Sequence, residues 1–190
     1  MLFWIIIAVA AAMAVYTIAI FNRLVRLRQM VNEAWSGIDV QLKRRSDLVP
    51  NLVEAVKGYA AHERSVLDNV TALRGAARDV PEGDVAGRAR AENALSVGLA
   101  KLFALAEAYP DLKASGNFLE LQKQLSALED DLQMARRYYN GAVRNLNVEV
   151  QSFPSSVIAG AGGFATRDFF ELADTSERNA PQVQFNPAST

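Results

Sequence analysis

Cysteine is absent from this chain, which removes disulfides, thiolate metal sites and cysteine nucleophiles together. Histidine occurs once, as His62, so a multi-histidine metal centre is excluded too. Neither sign of charge is in excess. The net charge is -1, and nothing in that balance draws the protein to a nucleic-acid backbone. Side chains charged at neutral pH are missing altogether from residues 1–22.

That opening, MLFWIIIAVAAAMAVYTIAIFN, holds roughly the 20 apolar residues a helix needs to cross ~30 Å of hydrocarbon. Trp4 and Tyr16 are candidates for the two membrane interfaces. Two other readings compete: a buried helix of a soluble domain, and a signal peptide cleaved near Ala11, Ala12 and Ala14. No basic residue precedes the run, and it is longer than a usual signal core, so a membrane anchor is the expectation. Arg23, Arg26 and Arg28 follow, then Lys43-Arg44-Arg45. Positive flanks stay on the cytoplasmic side, which predicts a very short outside N-terminus and a cytoplasmic domain.

Beyond the anchor, Val31, Trp35, Ile38, Leu42, Val49, Leu52, Val56, Tyr59, Val66, Val70 and Leu73 recur at steps of four and three. Only Arg45 and Glu63 place charge in that seam. A seven-residue repeat held over about six heptads marks a helix packed along its length by partner helices. Pro50 interrupts the backbone ladder at a cost of roughly 3 kcal/mol. The phase does not slip there, which predicts a kink rather than a break. One bent helix is therefore expected from the membrane to about Arg78, with ~80 Å of it outside the bilayer.

Pro81 and Gly83 mark a turn. A second helix is predicted from Asp84 to Ala108, with Ala91, Leu95, Leu99, Leu102 and Ala106 as its seam, ended by Tyr109-Pro110. Asn117 reads as the N-cap of a third helix, with Glu120 as its capping-box partner. That helix runs on through Leu125, Leu132, Tyr139 and Leu146 to about Ser152. Pro154, Ser155 and Ser156 could open a short helix, interrupted by Gly160, Gly162 and Gly163. Phe164, Phe169, Phe170 and Leu172 form an aromatic patch, and Val183 and Phe185 are candidate anchors for a polar end. The expected fold is all-α: an N-terminal transmembrane helix continuing into a long kinked helix within an antiparallel helical bundle. Residues 1–22 are the anchor, 23–153 the bundle and 154–190 a Gly/Phe-rich tail packed on the bundle or a neighbour.

The run VNEAWSGIDVQLKRRSDLVPNLVEAVKGYAAHE resembles the N-terminal signature of the LemA family. LFALAEAYPDLKAS, NFLELQKQL, ARRYYNGAVRNLN and FPSSVIAG are similar to the rest of its pattern, and the likeness extends from the membrane helix to about Phe185. The resemblance implies a single-pass protein of the bacterial inner membrane with a long-helix bundle outside the bilayer. It brings no established activity and no catalytic residues. Some relatives help to build intracellular membrane compartments, and others are encoded beside membrane zinc metalloproteases.

Candidate sites are few. Lys43 and Arg44 read as a solvated face, because Lys43 stands ~30 Å from the membrane end. Arg45 must be paired, with Glu129, Asp130 or Asp131 of the third helix or with a neighbouring subunit. Glu63 is ~27 Å from Arg45 on one helix, too far to be its partner. His62-Glu63 lacks the second histidine of a zinc-protease motif, since the sequence is HERSV. GAGGFA is a glycine-rich apolar turn rather than a phosphate cradle, and Arg136-Arg137-Tyr138-Tyr139 reads as core tyrosine plus surface arginine. Interaction candidates are Arg45, Glu63, Phe164, Phe169 and Phe170, and no catalytic, cofactor-binding or metal-binding residue is expected. The expected role is a non-enzymatic scaffold that contacts membrane lipid, forms homo-oligomers and organises partner proteins. An adaptor or regulator of a membrane zinc metalloprotease is the alternative.

Overall fold

The described part of the computed structural model, residues 1–171, holds six α-helices. They are α1 (Leu2–Lys57), α2 (Arg64–Arg78), α3 (Val85–Glu107), α4 (Pro110–Lys113), α5 (Gly116–Gln151) and α6 (Ser155–Ala161). Leu172, Val183 and Phe185, expected in the tail patch and its end, lie outside the described residues.

α1 is 56 residues long and runs without a break through Pro50. At 1.5 Å per residue it is ~84 Å long. Residues 2–19 of it are exposed, and by length and composition this segment is able to cross a membrane. From Ile20 onward one stripe is buried: Leu24, Val31, Ala34, Ile38, Leu42, Arg45, Val49, Leu52 and Val56. The seam foreseen from Val31 is therefore present, and it starts eleven residues earlier, at Ile20.

The expected continuation to Arg78 is overturned. The helix ends at Lys57, a turn occupies 58–63, and α2 starts at Arg64. Tyr59 is exposed, and Ala60 takes the buried position instead. The physical reason is the length of the partner. Phe118 and Leu125, near the start of α5, already share a core cluster with Val49, Leu52 and Val56. A straight continuation would carry Val66, Val70 and Leu73 past the end of α5 with nothing to cover them. Reversal at 58–63 lays α2 back along α1 and buries Leu67 and Val70 in the same cluster.

Pro50 has a use in this arrangement. It lacks the N–H that would bond the carbonyl of Ser46, four residues back. The Ser46 carbonyl instead accepts the Nε–H of Arg74 on α2, at 2.6 Å. A carbonyl freed by proline thus ties α2 to α1. Arg74→Met is expected to lower stability by about 1.5–3 kcal/mol, as for hydrogen bonds from charged donors. In a Pro50→Ala background the helix reclaims that carbonyl, so the cost of Arg74→Met falls. Urea unfolding of the four proteins in this double-mutant cycle measures the difference.

α2, α3 and α5 complete an antiparallel bundle around α1. α2 returns along α1, α3 runs back beside α2, and α4 turns the chain into α5, which lies along α1 in the opposite direction. α2 and α3 meet closely at Gly98, where an added Cβ would fall 2.7 Å from a Leu73 methyl. Asp84 caps α3, accepting from the Gly87 N–H at 2.7 Å. α5 begins at Gly116, one residue before Asn117, so Asn117 lies inside the helix and is not its N-cap. Ser115 stands at its N-cap without a side-chain bond, and the Leu119 N–H closes the first turn on the Ser115 carbonyl. α5 reaches Gln151 and α6 opens at Ser155, close to the boundaries read from the sequence.

Candidate functional site

The chemistry-bearing side chains gather at two places: inside the bundle around Arg45, and on the flank of α5 where the tail is held.

Arg45 is 1% exposed although it is a charged residue, and it lies 12 residues before the end of α1. Its guanidinium reaches from α1 to both α3 and α5. Nη2 donates to the Ser96 hydroxyl at 2.6 Å, and Nη1 lies 3.2 Å from a Glu129 carboxylate oxygen and 4.0 Å from Glu92. Glu92, 2% exposed, faces Arg88 at 3.2 Å on its other side, and Arg88 is 3.8 Å from Asp39. Burial raises the Glu92 carboxyl above the ordinary carboxylate range; Arg45 and then Arg88 oppose that rise. The group is a chain of alternating charge, buried at Arg45 and Glu92, that joins three helices.

Glu129 is one of the three partners proposed for Arg45. Glu92 was not among them. The signal for it was present: stepping back three residues from Leu95 in the seam of α3 lands on Glu92. An acidic residue in one seam and a basic one in another invite pairing. Glu63 belongs to no seam, being the half-exposed N-cap of α2 with no side-chain capping bond. His62 beside it is exposed.

The tail is fastened by two asparagines. Asn140 accepts from the Phe170 N–H at 2.9 Å and donates to the Phe170 carbonyl at 3.2 Å. Asn147 does the same for Arg167, at 2.8 and 2.9 Å. The spacing has a simple origin. Seven residues of helix rise ~10.5 Å, and three residues of extended chain rise ~10 Å. Asparagines one heptad apart on α5 therefore match tail residues three apart. Tyr139 adds a bond from its hydroxyl to the Asp168 carbonyl at 3.0 Å.

Phe170 is fully buried among Trp35 and Tyr139, with the Arg136 guanidinium over its ring at 5.7 Å. Phe164 is buried too, edge-on to Phe21 at 5.5 Å, with Arg28 over its ring at 4.8 Å. Phe169 points outward and is 38% exposed. Of the three candidate phenylalanines, two are seated in the bundle and one is presented. Tyr138 is exposed while Tyr139 is buried. An open cleft of about 570 Å³ lies beside this strap, lined by Trp35, Asp39, Arg88, Tyr139 and Arg167 among others. Among the described residues no group of three His, Cys, Asp or Glu side chains is placed to hold a metal ion.

These features define a helical bundle carried on one long apolar-ended helix, with its chain tail strapped along the third long helix. The LemA family pattern matches residues 34–185, and the chain belongs to the LemA family. It is 22% identical over 175 residues to Magnetosome protein MamQ 2 of Paramagnetospirillum magneticum, covering 80% of this chain and 64% of that protein. It is 26% identical over 138 residues to Protein LemA of Metamycoplasma hominis, covering 73% of this chain and 63% of the relative. The chain therefore spans slightly less than two thirds of the length of the relatives it matches.

Proposed function

We propose that this protein is a membrane-anchored, non-enzymatic scaffold that self-assembles through lateral contacts of its long helices and organises membrane or partner proteins. The observation that carries this reading is the continuity of α1. One helix of 56 residues is exposed and apolar at its start and forms the seam of the bundle over the rest. No linker intervenes, so the bundle is held in a fixed attitude to the anchor. A fixed attitude is what repeated side-by-side contacts need.

The contact surface is the flank shared by α1 and α5. A shallow groove there has Leu48, Ala127 and Leu128 in its floor and Arg44, Asp47 and Asp131 on its rim. An apolar floor with both signs of charge around it suits contact with a second copy of the same surface. Size analysis of the full chain in mild detergent tests the reading. A species larger than a monomer is expected, shifting toward monomer for Leu128→Glu. A monomer at every concentration overturns it.

A further inference from the structure

The turn between α5 and α6 and the first turn of α6 present two large apolar side chains on the surface. We infer that Phe153 and Val157 insert into the boundary between headgroups and acyl chains beside the anchor, making a second membrane contact for each protomer. This rests on the anchor reading of α1 proposed above.

Both side chains project with little cover, Phe153 at 85% exposed and Val157 at 66%. They belong to the run 152–166, which contains no ionisable side chain. The fold sets this run against the base of the anchor. Ala159 and Phe164 pack on Ile20 and Leu24. Phe153 and Pro154 line a groove together with Tyr16, Ala19 and Ile20 of the uncharged opening of α1, and with Arg23 and Glu149 at its charged edge. Tyr16 is seven residues before Arg23, so it lies ~10 Å beyond that first charge along the helix. Phe153 thus sits where the uncharged opening of α1 meets its first charge, Arg23. Interfacial apolar groups are buried about 5–10 Å, which is the same range.

Several polar groups of the turn have internal partners. A backbone group entering hydrocarbon needs an internal partner. The Ser155 hydroxyl lies 2.7 Å from the Glu149 carbonyl and 2.8 Å from the Ser152 carbonyl, at the otherwise open end of α5. The Ser156 N–H also donates to Ser152, at 2.7 Å. Glu149, the acidic residue nearest the edge, is paired with Arg23 at 3.1 Å and its side chain is only 13% exposed. Arg23, with Arg26 and Arg28 after it on α1, leaves a basic collar at the height of anionic headgroups.

The cysteine-free sequence makes the test clean. Four single-cysteine variants of the full chain, V9C, F153C, V157C and M134C, are labelled with an environment-sensitive fluorophore. Each is reconstituted in phosphatidylglycerol-containing vesicles with and without a quencher on the lipid acyl chain. Val9 is in the anchor, and Met134 is an exposed site on α5 far from the turn. The expected result is loss of fluorescence at 153 and 157 comparable with that at 9, and none at 134. Quenching at 9 but not at 153 or 157 overturns this inference and leaves the anchor in place; a surface covered by a second copy gives that pattern. Absence of quenching at 9 overturns the anchor reading, and this inference with it.

Discussion

Arg45→Met is expected to lower stability by about 3–5 kcal/mol, the usual cost of removing one partner from a buried ion pair. For a chain of this size that is a fall in melting temperature of roughly 6–20 °C. Thermal melting followed by circular dichroism of the full chain in detergent measures it. The loss comes less from the contact itself than from what stays behind. Glu92 is buried from water and would keep only Arg88 as a neighbour of opposite charge. Glu129 is 39% exposed and loses little.

The same variant has a pH signature. A carboxyl raised on folding binds its proton more tightly in the folded state than in the unfolded one. Its ionisation therefore costs stability above the folded pKa, and the cost is relieved as pH falls toward the ordinary value of 4.5. Arg45 is the first of the charges holding Glu92 down, so its loss raises that carboxyl further and extends the window upward. The gap between Arg45→Met and the parent should be widest at neutral pH and narrow on acidification toward that value. Adding Glu92→Leu should recover much of the loss at neutral pH, because an apolar pair leaves no stranded charge. A gap independent of pH would mean that Glu92 does not sense Arg45.

Phe170→Ala is the second large effect, about 3–5 kcal/mol for emptying a fully buried aromatic site. Phe169→Ala, one residue away and partly in water, should stay within about 0.5 kcal/mol. Urea unfolding gives both values. Amide hydrogen exchange adds a local readout, since the Phe170 and Arg167 N–H groups are held by Asn140 and Asn147. Protection at both amides should drop in Phe170→Ala. Equal costs for the two variants would show that the tail is not seated on α5.

The legible parts of the fold were those set by one repeating interaction. The steps of three and four from Val31 to Val56 and from Leu125 to Leu146 report a packed helix face directly, and both helices are present. Asp84 before an apolar seam gave the start of α3. The end of α1 was hidden because the turn 58–63 spans six residues. Val56 and Glu63 are one heptad apart, so the count of apolar steps passed unchanged from one helix to the next while the direction reversed. What ends α1 is the length of α5, a tertiary fact. Arg45 advertised itself as a charge in a seam. Glu92 was concealed by the choice of Ala91 for the seam of α3, since both lie a permitted step before Leu95. The asparagine clamps escaped notice because their meaning depends on a strand-like partner, and a lone pair of asparagines on a helix reads as surface.

One consequence follows from the unbroken α1. A helix turns about 100° per residue, and the buried stripe of α1 begins at Ile20. A single alanine inserted among the exposed residues near Met13 would leave every bundle contact intact. It would swing the N-terminal part of the apolar segment by about 100° around its own axis relative to the flank that carries Leu48 and Leu128. Residue count in the apolar segment is thus an angular setting, deciding which lateral surface of the bundle points toward whatever grips the N-terminal end of the helix.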